Sequence, residues 1–278
     1  MFVWLDGNVI PEEQAVIKIN SPAFRYGEGF FTTIRIESNV PLWLEEHVER
    51  LKNFENILSF PSFSEKEVIE AARLIPFVTG ISEGILRIVV FEEEKKARVY
   101  INAEKFVFQE MEPVRVSLAS FRRHSTQPLL KVKSLNYLEN VMAYKEALKR
   151  GFCEGLFLNE KGEVCETTRF NIFWVTGQEV YTPAIDCGVL PGITRRKLIE
   201  LCRQEGIEIK VGRFTLPDLK RAQEVFLTNS LRGIVSVKQI EEAEYTVKGS
   251  AISLLKDKLC SLIQKSVSTK IKDIRGGQ

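Results

Sequence analysis

Two residues stand out, by their position in the sequence, as candidates to exchange a proton or form a covalent bond with a ligand: Lys133 and Glu166. Lys133 stands in Lys131-Val-Lys133-Ser-Leu-Asn-Tyr, directly before a predicted helix, where an ammonium opposes the helix dipole. A lysine amine that is withdrawn from water has a lowered pKa and can act as a nucleophile or base. A solvent-facing lysine at a helix start is the alternative interpretation of this segment alone.

Glu166 stands in Glu163-Val-Cys-Glu166-Thr-Thr-Arg-Phe-Asn171, at the edge of an apolar strand predicted over residues 171–175. A carboxylate that is buried there needs a cationic or hydrogen-bonding partner. The protonated ring nitrogen of an aromatic ligand would be one such partner. A glutamate in an ordinary turn is the alternative.

Two further segments could hold an anion. Pro191-Gly-Ile-Thr194 opens a predicted helix, so backbone N–H groups and a hydroxyl point at whatever lies at the helix N-terminus, as in many phosphate sites. The buried strand predicted over residues 225–228 runs directly into Asn229 and Ser230. Helix capping and turn formation are the respective alternatives.

The elements that must position these residues divide the chain into two halves. In the first half the patterns predict a hairpin at residues 2–10, strands at 30–36, 84–91, 97–103 and 114–119, and helices at 43–58 and from Ser64 onward. In the second half they predict helices at 137–150, 194–204 and 216–222, and strands at 155–158, 171–175, 180–181, 207–213, 225–228 and 234–240.

The predicted fold is therefore α/β (α+β), with two subdomains and a ligand cleft between them. A polar segment that ends in Pro128 is taken as the connection. The predicted limits are a small N-terminal subdomain over residues 1–119, a linker over 120–130 and a large C-terminal subdomain over 131–278. The basic run from Lys265 to Arg275 is predicted to be a solvated, fraying tail.

Composition excludes several classes of protein. A net charge of +2 gives no global field for nucleic acid or an anionic membrane, and no apolar stretch reaches the roughly 18 residues that span a bilayer. Five cysteines without a Cys-x-x-Cys pair and only two histidines predict neither a disulfide framework nor a metal centre. No secretory signal is visible, so a cytoplasmic location is expected.

Together, in this order and spacing, the four segments resemble the class IV (fold type IV) pyridoxal-phosphate family. That family includes branched-chain aminotransferases, D-amino-acid transaminases and 4-amino-4-deoxychorismate lyases. The resemblance runs from Asp6 to Ile240 and is most specific in three stretches: residues 166–173 followed by Thr182-Pro183, residues 190–195, and residues 224–230. It implies pyridoxal 5′-phosphate as cofactor, in the cleft between the subdomains.

The resemblance also implies a role for each matching residue. Lys133 resembles the lysine that binds the cofactor covalently and then acts as the base, and Glu166 the partner of the pyridine nitrogen. Tyr137 resembles the residue near the phenolic oxygen, although its spacing from the lysine is one residue shorter than in branched-chain enzymes. Leu190 resembles the side chain that packs on the ring. The residues that resemble phosphate ligands are Arg50, Ile193, Thr194 and Ser230.

The substrate carboxylate requires a cation near the ring. The candidates are Arg25, Arg35, Arg87 and Lys238. The Arg-x-His pair typical of D-amino-acid transaminases is absent after the strand of Arg87. The stretches Thr32-Thr33-Ile-Arg35 and Leu227-Thr-Asn-Ser230 favour the lyase or an atypical D-specific transaminase.

The predicted activity is amino transfer between an amino acid, with a D-amino acid preferred, and a 2-oxo acid. The alternative is the lyase that forms 4-aminobenzoate and pyruvate. Because family members complete each site across a subunit boundary, a homodimer is also expected.

Overall fold

A computed structural model of the chain describes the backbone of residues 1–276 and the side chains of residues 1–271. The described residues fall into two units of mixed α and β structure, as predicted. Unit 1 comprises Met1–Phe108, Val132–Asn136 and the chain from Leu262 onward. Unit 2 comprises Gln109–Lys131 and Tyr137–Ser261.

Unit 1 is built on six strands and three complete helices, together with the end of the C-terminal helix given below. The strands are β1 (Phe2–Leu5), β2 (Asn8–Pro11), β3 (Gly29–Glu37), β4 (Val40–Pro41), β5 (Gly84–Glu93) and β6 (Lys96–Lys105). The helices are α1 (Pro22–Tyr26), α2 (Leu44–Leu58) and α3 (Glu65–Thr79). All the strands pair antiparallel, in the order β2-β1-β6-β5-β3-β4.

The alternation of side chains along β3, β5 and β6 gives this sheet two different faces. Ile34, Ile88 and Ile101 are fully buried on the face against which α2 and α3 pack. On the opposite face several residues of the same strands, among them Phe31, Arg87 and Tyr100, are partly exposed. Helix α3 begins where the sequence predicts, because the hydroxyl of Ser64 accepts a hydrogen bond from the N–H of Glu67 at 3.3 Å.

The short segment Val132–Asn136 of unit 1 lies along the beginning of β3. The N–H of Phe31 donates to the carbonyl of Lys133 at 2.8 Å, and the N–H of Leu135 donates to the carbonyl of Gly29 at 2.9 Å. A Cβ atom at Gly29 would lie 2.6 Å from Leu135 Cδ1, so this close approach requires glycine. The backbone of Lys133 is thereby fixed beside β3.

Unit 2 is built on nine strands. They are β7 (Val114–Leu118), β8 (Glu154–Leu158), β9 (Val164–Thr167), β10 (Asn171–Thr176), β11 (Glu179–Pro183), β12 (Ile209–Gly212), β13 (Glu224–Asn229), β14 (Gly233–Ile240) and β15 (Ala243–Glu244). Their order is β12-β11-β10-β13-β14-β7-β8-β9, and β15 pairs with β14. The pairs β11–β12, β14–β7 and β7–β8 are parallel.

Four helices complete the fold: α4 (Leu138–Lys149), α5 (Ile193–Gln204), α6 (Leu216–Lys220) and α7 (Ser250–Gly276). The main core of unit 2 is formed by apolar side chains of adjacent strands, including Val116, Leu156, Ile172, Leu227 and Val237. Strand β10, between β11 and β13, is the central support of the polar groups described below.

The limits of the units differ from the predicted subdomains. Strand β7, predicted within residues 1–119, pairs with β8 and β14 of the second sheet. The predicted linker, residues 120–130, also belongs to unit 2, where the N–H of Arg123 donates to the carbonyl of Leu158 at 3.0 Å. Pairing between strands distant in sequence, rather than a change in composition, determines this division.

The prediction of a frayed basic tail from Lys265 to Arg275 is wrong for the backbone, which is helical in α7 through Gly276. Apolar residues at helical spacing anchor this helix, and the buried ones include Ile252, Leu255, Leu259 and Val267. Lys270 Nζ also donates to Glu45 Oε1 at 2.7 Å. The side chains of Lys272 and Arg275 lie outside the described residues.

Candidate active site

Lys133 extends its side chain over an aromatic ring of unit 1. Its Nζ lies 4.6 Å from the centroid of the Phe31 ring, and the residue is half-buried between the buried Val132 and Ser134. Helix α4 begins only at Leu138, so Lys133 lies beyond the first turn, where the helix dipole has little effect. A partly desolvated amine over an aromatic face can bind or deprotonate a ligand.

Phe31 points away from α2 and α3, because the next residue, Thr32, points toward them. We call the side of the sheet that carries Phe31, Thr33, Arg35, Arg87 and Asn102 the polar face. Thr33 is paired in register with Arg87, which is in turn paired with Asn102. The register therefore brings two of the predicted substrate cations, Arg35 and Arg87, to the same face as the Lys133 amine.

Each of these two arginines has an acidic neighbour. Arg87 Nη1 lies 3.2 Å from Glu104 Oε1, and both side chains are close to half exposed. Arg35 Nη2 lies 2.9 Å from Glu37 Oε2, and the guanidinium stacks on Phe108 at 4.4 Å. Arg87 is thus the more accessible of the two to a ligand carboxylate.

Arg50 and Arg25 have opposite environments. Arg50 is buried in α2, and its Nη2 donates to Thr32 Oγ1 at 2.8 Å, one residue along β3 from Phe31. Arg25 is exposed in α1, with its guanidinium 4.9 Å from the ring of Tyr26. Arg50 is therefore held in one position, whereas Arg25 lies in a solvent-exposed turn of helix.

In unit 2, Glu166 is buried and accepts hydrogen bonds on both carboxylate oxygens. Its Oε1 accepts from Arg123 Nη1 at 2.9 Å. Its Oε2 accepts from Asn171 Nδ2 at 2.8 Å and from the N–H of Leu190 at 3.2 Å. The sequence predicted that a buried Glu166 needs a cationic or hydrogen-bonding partner, but it did not identify Arg123, which lies in the segment predicted to be a linker.

The N-terminus of α5 lies next to this carboxylate network. Gly192, its N-cap residue, makes no side-chain cap, and a Cβ atom there would lie 2.1 Å from Asn171 Oδ1. Ile193 and Thr194 form the first turn, whose N–H groups have no partner within the helix. The Thr194 hydroxyl is buried and has no hydrogen-bond partner among the described residues.

Strand β13 brings more hydroxyl groups to the same end of the sheet. Thr228 is paired in register with Asn171, and its buried hydroxyl also has no partner within residues 1–271. Ser230 follows in the turn to β14, where Asn229 Oδ1 accepts hydrogen bonds from the N–H groups of Leu231 and Arg232. A buried hydroxyl without a partner, such as that of Thr228, is suited to a phosphate.

Tyr137 donates its hydroxyl hydrogen to the carbonyl of Thr168 at 2.9 Å. Burial, and secondarily the negative charge of Glu166, raise the pKa of the Tyr137 phenol well above its usual range. The phenol is therefore a neutral hydrogen-bond donor at physiological pH. Asn140 Nδ2 donates to the same Thr168 carbonyl at 2.7 Å.

Lys238 is separated from this cluster. The register pairs Gly233 with Asn229, next to Ser230, whereas Val237 pairs with Val225 at the other end of the two strands. Five residues of β14 correspond to about 17 Å. Lys238 is exposed at that far end.

The chain belongs to the class IV aminotransferases, because residues 29–240 match the model of the family "Amino-transferase class IV". It is 31% identical over 291 residues to the aminodeoxychorismate lyase of Bacillus subtilis, an alignment that covers 99% of this chain and 98% of the relative. The fold matches the branched-chain aminotransferase of Thermoproteus uzoniensis, solved with norvaline, with a TM-score of 0.90 and 28% identity over 96% of this chain and 95% of the other.

A second similar structure is a T.th. branched-chain aminotransferase solved with pyridoxamine 5′-phosphate, with a TM-score of 0.87 and 26% identity over 95% of this chain and 94% of the other. The class IV aminotransferases depend on pyridoxal 5′-phosphate, so the chain is an enzyme of this kind and pyridoxal 5′-phosphate is its cofactor. The buried, unpartnered hydroxyl of Thr194 at a helix N-terminus fits a phosphate group. Within residues 1–271, no helix has the length and apolar character of a membrane span, and no group of acidic, His and Cys side chains is arranged to bind a metal.

Proposed function

We propose that the protein is a transaminase that moves an amino group between an amino acid and a 2-oxo acid, with Lys133 as its catalytic base. One observation carries this proposal: the Lys133 amine lies over Phe31 on the sheet face that also presents Arg87. A transaminase needs a base near the reacting carbon and a cation for the substrate carboxylate. Here both groups belong to the same face of one sheet.

The phosphate would be bound by Arg50, by the N–H groups of Ile193 and Thr194, by the Thr194 hydroxyl and by Ser230. Charge-assisted bonds from a guanidinium and from a helix N-terminus suit a dianion. The buried position of Arg50 and the unpartnered Thr194 hydroxyl support this assignment.

The pyridine ring would be held at its edge and on its face. Glu166 would accept the hydrogen of the ring nitrogen, Tyr137 would hold its hydroxyl beside the phenolic oxygen, and Leu190 would pack against the ring. The cofactor supplies an electron sink that makes the Cα–H of a bound amino acid acidic. The fixed carboxylate of Glu166 supports this role, because a charge held in place stabilises the protonated ring nitrogen without reorganisation.

Lys133 would serve two steps with one amine. It would bind the cofactor covalently, and once replaced by the substrate amine it would take the Cα proton and deliver it to the adjacent carbon of the cofactor. Its partial burial over the Phe31 ring supports this role, since an amine shielded from water can act as a nucleophile.

Among the predicted substrate cations, Arg87 is the one we favour, because it is half exposed on the polar face. Arg35 lies on the same face but pairs with Glu37 and Phe108. Arg25 would act at the site of a neighbouring subunit, in the proposed homodimer. Lys238 lies at the far end of β14, which argues against a direct contact with substrate. Light scattering on the active enzyme tests the dimer, and an active monomer would refute it.

We propose a D-amino acid as the donor, because the sequence features at residues 32–35 and 227–230 favour an atypical D-specific transaminase or the lyase. We also propose that the protein is located in the cytoplasm. The experiment offers the purified, cofactor-loaded enzyme D- and L-amino acids with 2-oxoglutarate or pyruvate. Chiral chromatography then follows the new amino acid, with Lys133→Ala as the control. Transfer of the amino group from L-amino acids alone would overturn the D-specific assignment, but the proposal that the protein is a transaminase would stand.

A lyase that forms 4-aminobenzoate and pyruvate is the second candidate. The observation that favours it is the 31% identity to the Bacillus subtilis aminodeoxychorismate lyase over nearly the whole of both chains. Both reactions begin with loss of the proton next to the cofactor-bound nitrogen, so the same Lys133 and Glu166 serve either. Aminodeoxychorismate is therefore included in the same experiment. Release of 4-aminobenzoate, together with no new amino acid from any donor pair, would replace the transaminase by the lyase.

A further inference from the structure

The carboxylate of Glu166 is engaged on both oxygens by groups of its own chain. Arg123 supplies a guanidinium N–H to one oxygen at 2.9 Å, while Asn171 and the backbone of Leu190 supply two N–H groups to the other. A buried carboxylate with a guanidinium partner is stable in its charged form. Glu166 is thus held in one orientation by groups of its own chain.

Arg123 is in turn fixed on three sides. Its side chain is only 2% exposed, and the guanidinium carbon lies 3.8 Å from the centroid of the Phe157 ring. Its Nη2 donates to Asn140 Oδ1 at 3.0 Å, and its Nε lies 3.4 Å from Glu139 Oε2. A planar guanidinium with this many partners has essentially one orientation.

Asn140 continues the network to the phenol. Its Nδ2 donates to the carbonyl of Thr168, the same atom that accepts the hydroxyl hydrogen of Tyr137. Hydrogen bonds of 2.7–3.0 Å therefore connect Glu166, Arg123, Asn140, the Thr168 carbonyl and Tyr137 in an unbroken series within unit 2. We call this series the Arg123 network.

We propose that Arg123, together with Asn140, is a positioning residue that sets the distance between the Glu166 carboxylate and the Tyr137 phenol. This inference rests on the proposed function, in which these two groups receive the ring nitrogen and the phenolic oxygen. Those two atoms lie at different positions of one rigid aromatic ring, so the spacing of their partners must match the ring before it binds. Because the hydrogen bonds of the Arg123 network follow one another without a break, they restrict the side chains of Glu166 and Tyr137 and preorganise both contacts with the ring.

The variants that test this are Arg123→Gln, Asn140→Ala and the matched control Arg122→Gln. Arg122 is the preceding residue, and its Nη1 donates to the carbonyl of Asn159 at 3.0 Å, outside the network. Removing a charged hydrogen-bond donor from Glu166 should raise the dissociation constant for pyridoxal 5′-phosphate about 10- to 100-fold. Asn140→Ala removes one bond from the Arg123 guanidinium and one to the Thr168 carbonyl but leaves the Arg123–Glu166 bond in place, and should raise the dissociation constant about 2- to 10-fold.

Three measurements on the full-length protein distinguish positioning from mere structural support. They are equilibrium binding of pyridoxal 5′-phosphate to the apo-protein, the pH dependence of the visible absorbance of the bound cofactor, and the melting temperature of the apo-protein. Arg123→Gln should weaken binding and move the pH profile, since a nearby cation no longer favours the charged carboxylate. In the double variant Arg123→Gln/Asn140→Ala, the dissociation constant should rise by less than the product of the two single-variant factors, because both residues act through one network.

The inference is overturned if Arg123→Gln and Arg122→Gln bind the cofactor equally well and have the same pH profile. It is also overturned if Arg123→Gln lowers only the melting temperature. If Arg123→Gln does not fold, Asn140→Ala provides the test. A positioning network is refuted if Asn140→Ala has the same cofactor affinity and the same pH profile as Arg122→Gln. Wild-type protein that does not bind pyridoxal 5′-phosphate would instead refute the proposed function, so the two failures are separate.

Discussion

Replacing Thr194 with valine should weaken cofactor binding and stabilise the apo-protein at the same time. The Thr194 side chain is 2% exposed at the N-terminus of α5, and its hydroxyl has no partner within the described residues. Valine has nearly the same shape but no hydroxyl. The two effects have opposite signs because the proposed partner of this hydroxyl is the phosphate rather than another group of the chain.

The magnitudes follow from these surroundings. A hydrogen bond to a charged acceptor contributes about 1.5–3 kcal/mol, so its loss should raise the dissociation constant about 10- to 150-fold. A buried polar atom without a partner costs about 1–3 kcal/mol, and its replacement by an apolar group of equal shape is neutral or favourable. We expect the free energy of unfolding of the apo-protein to rise by about 1 kcal/mol, or about 2 °C in melting temperature.

The assay is fluorescence titration of apo-protein with pyridoxal 5′-phosphate, combined with thermal unfolding of the same samples. Thr182→Val is the matched control, because the equally buried Thr182 hydroxyl donates to the carbonyl of Ile172 at 2.9 Å. That control should lose about 1 kcal/mol of stability and keep its cofactor affinity. If Thr194→Val binds the cofactor as tightly as wild type, the phosphate does not contact this hydroxyl and the reasoning is refuted.

Three further predictions concern other residues. Lys133→Ala should abolish the visible absorbance of the covalently bound cofactor and all turnover, and an unchanged spectrum would show that another lysine binds it. Arg87→Ala should raise KM for dicarboxylic substrates about tenfold, and more than it raises the cofactor dissociation constant, whereas equal effects would place Arg87 outside the substrate site. Hydrogen bonds from the N–H and hydroxyl of Ser125, each 2.8 Å long, lower the pKa of Glu160 from 4.5 to about 2. The folded-state pKa lies below the unfolded one, so this stabilisation is complete above pH 4.5 and is lost as the pH falls toward 2. Glu160→Gln should therefore lose less stability over that interval than wild type, and equal losses in chemical denaturation would contradict the assignment.

The sequence predicted individual helices and strands better than it predicted which strands pair with one another. Strands β5 and β6 were predictable from alternating apolar residues around the polar turn near Glu94, and α3 from the cap at Ser64. The parallel pairing of β7 with both β8 and β14 was not predictable, because such register depends on residues far apart in the chain. Helix α7 was not predicted, because the basic run near its end is also typical of a solvated tail, although apolar residues recur at helical spacing along it.

For the candidate site, the sequence identified the residue types that stand out against their neighbours but not the groups that hold them. Lys133, Glu166 and Thr194 were predicted because each carries unusual chemistry next to an apolar or glycine-rich element. Arg123 and Asn140 were not found, since an arginine in a polar segment and an asparagine in a helix carry no local signal of burial. Their roles depend on the close approach of residues 17 to 43 positions apart, which only the folded chain provides.

A buried Glu166 was predicted to need a cationic or hydrogen-bonding partner, with the ring nitrogen of a ligand as one example, and the chain itself provides both kinds in Arg123 and Asn171. This changes the expected behaviour of the apo-protein. A carboxylate that waited for its cation would have to be neutral or mobile until the cofactor arrived, and binding would then include the cost of ordering it. With Arg123, Asn171 and Leu190 already bonded to it, Glu166 has little left to reorganise. These bonds are compatible with a further one from the ring nitrogen, because the two oxygens of a carboxylate together offer about four acceptor positions. Cofactor affinity should therefore depend on the residues behind Glu166 as well as on those that touch the ring.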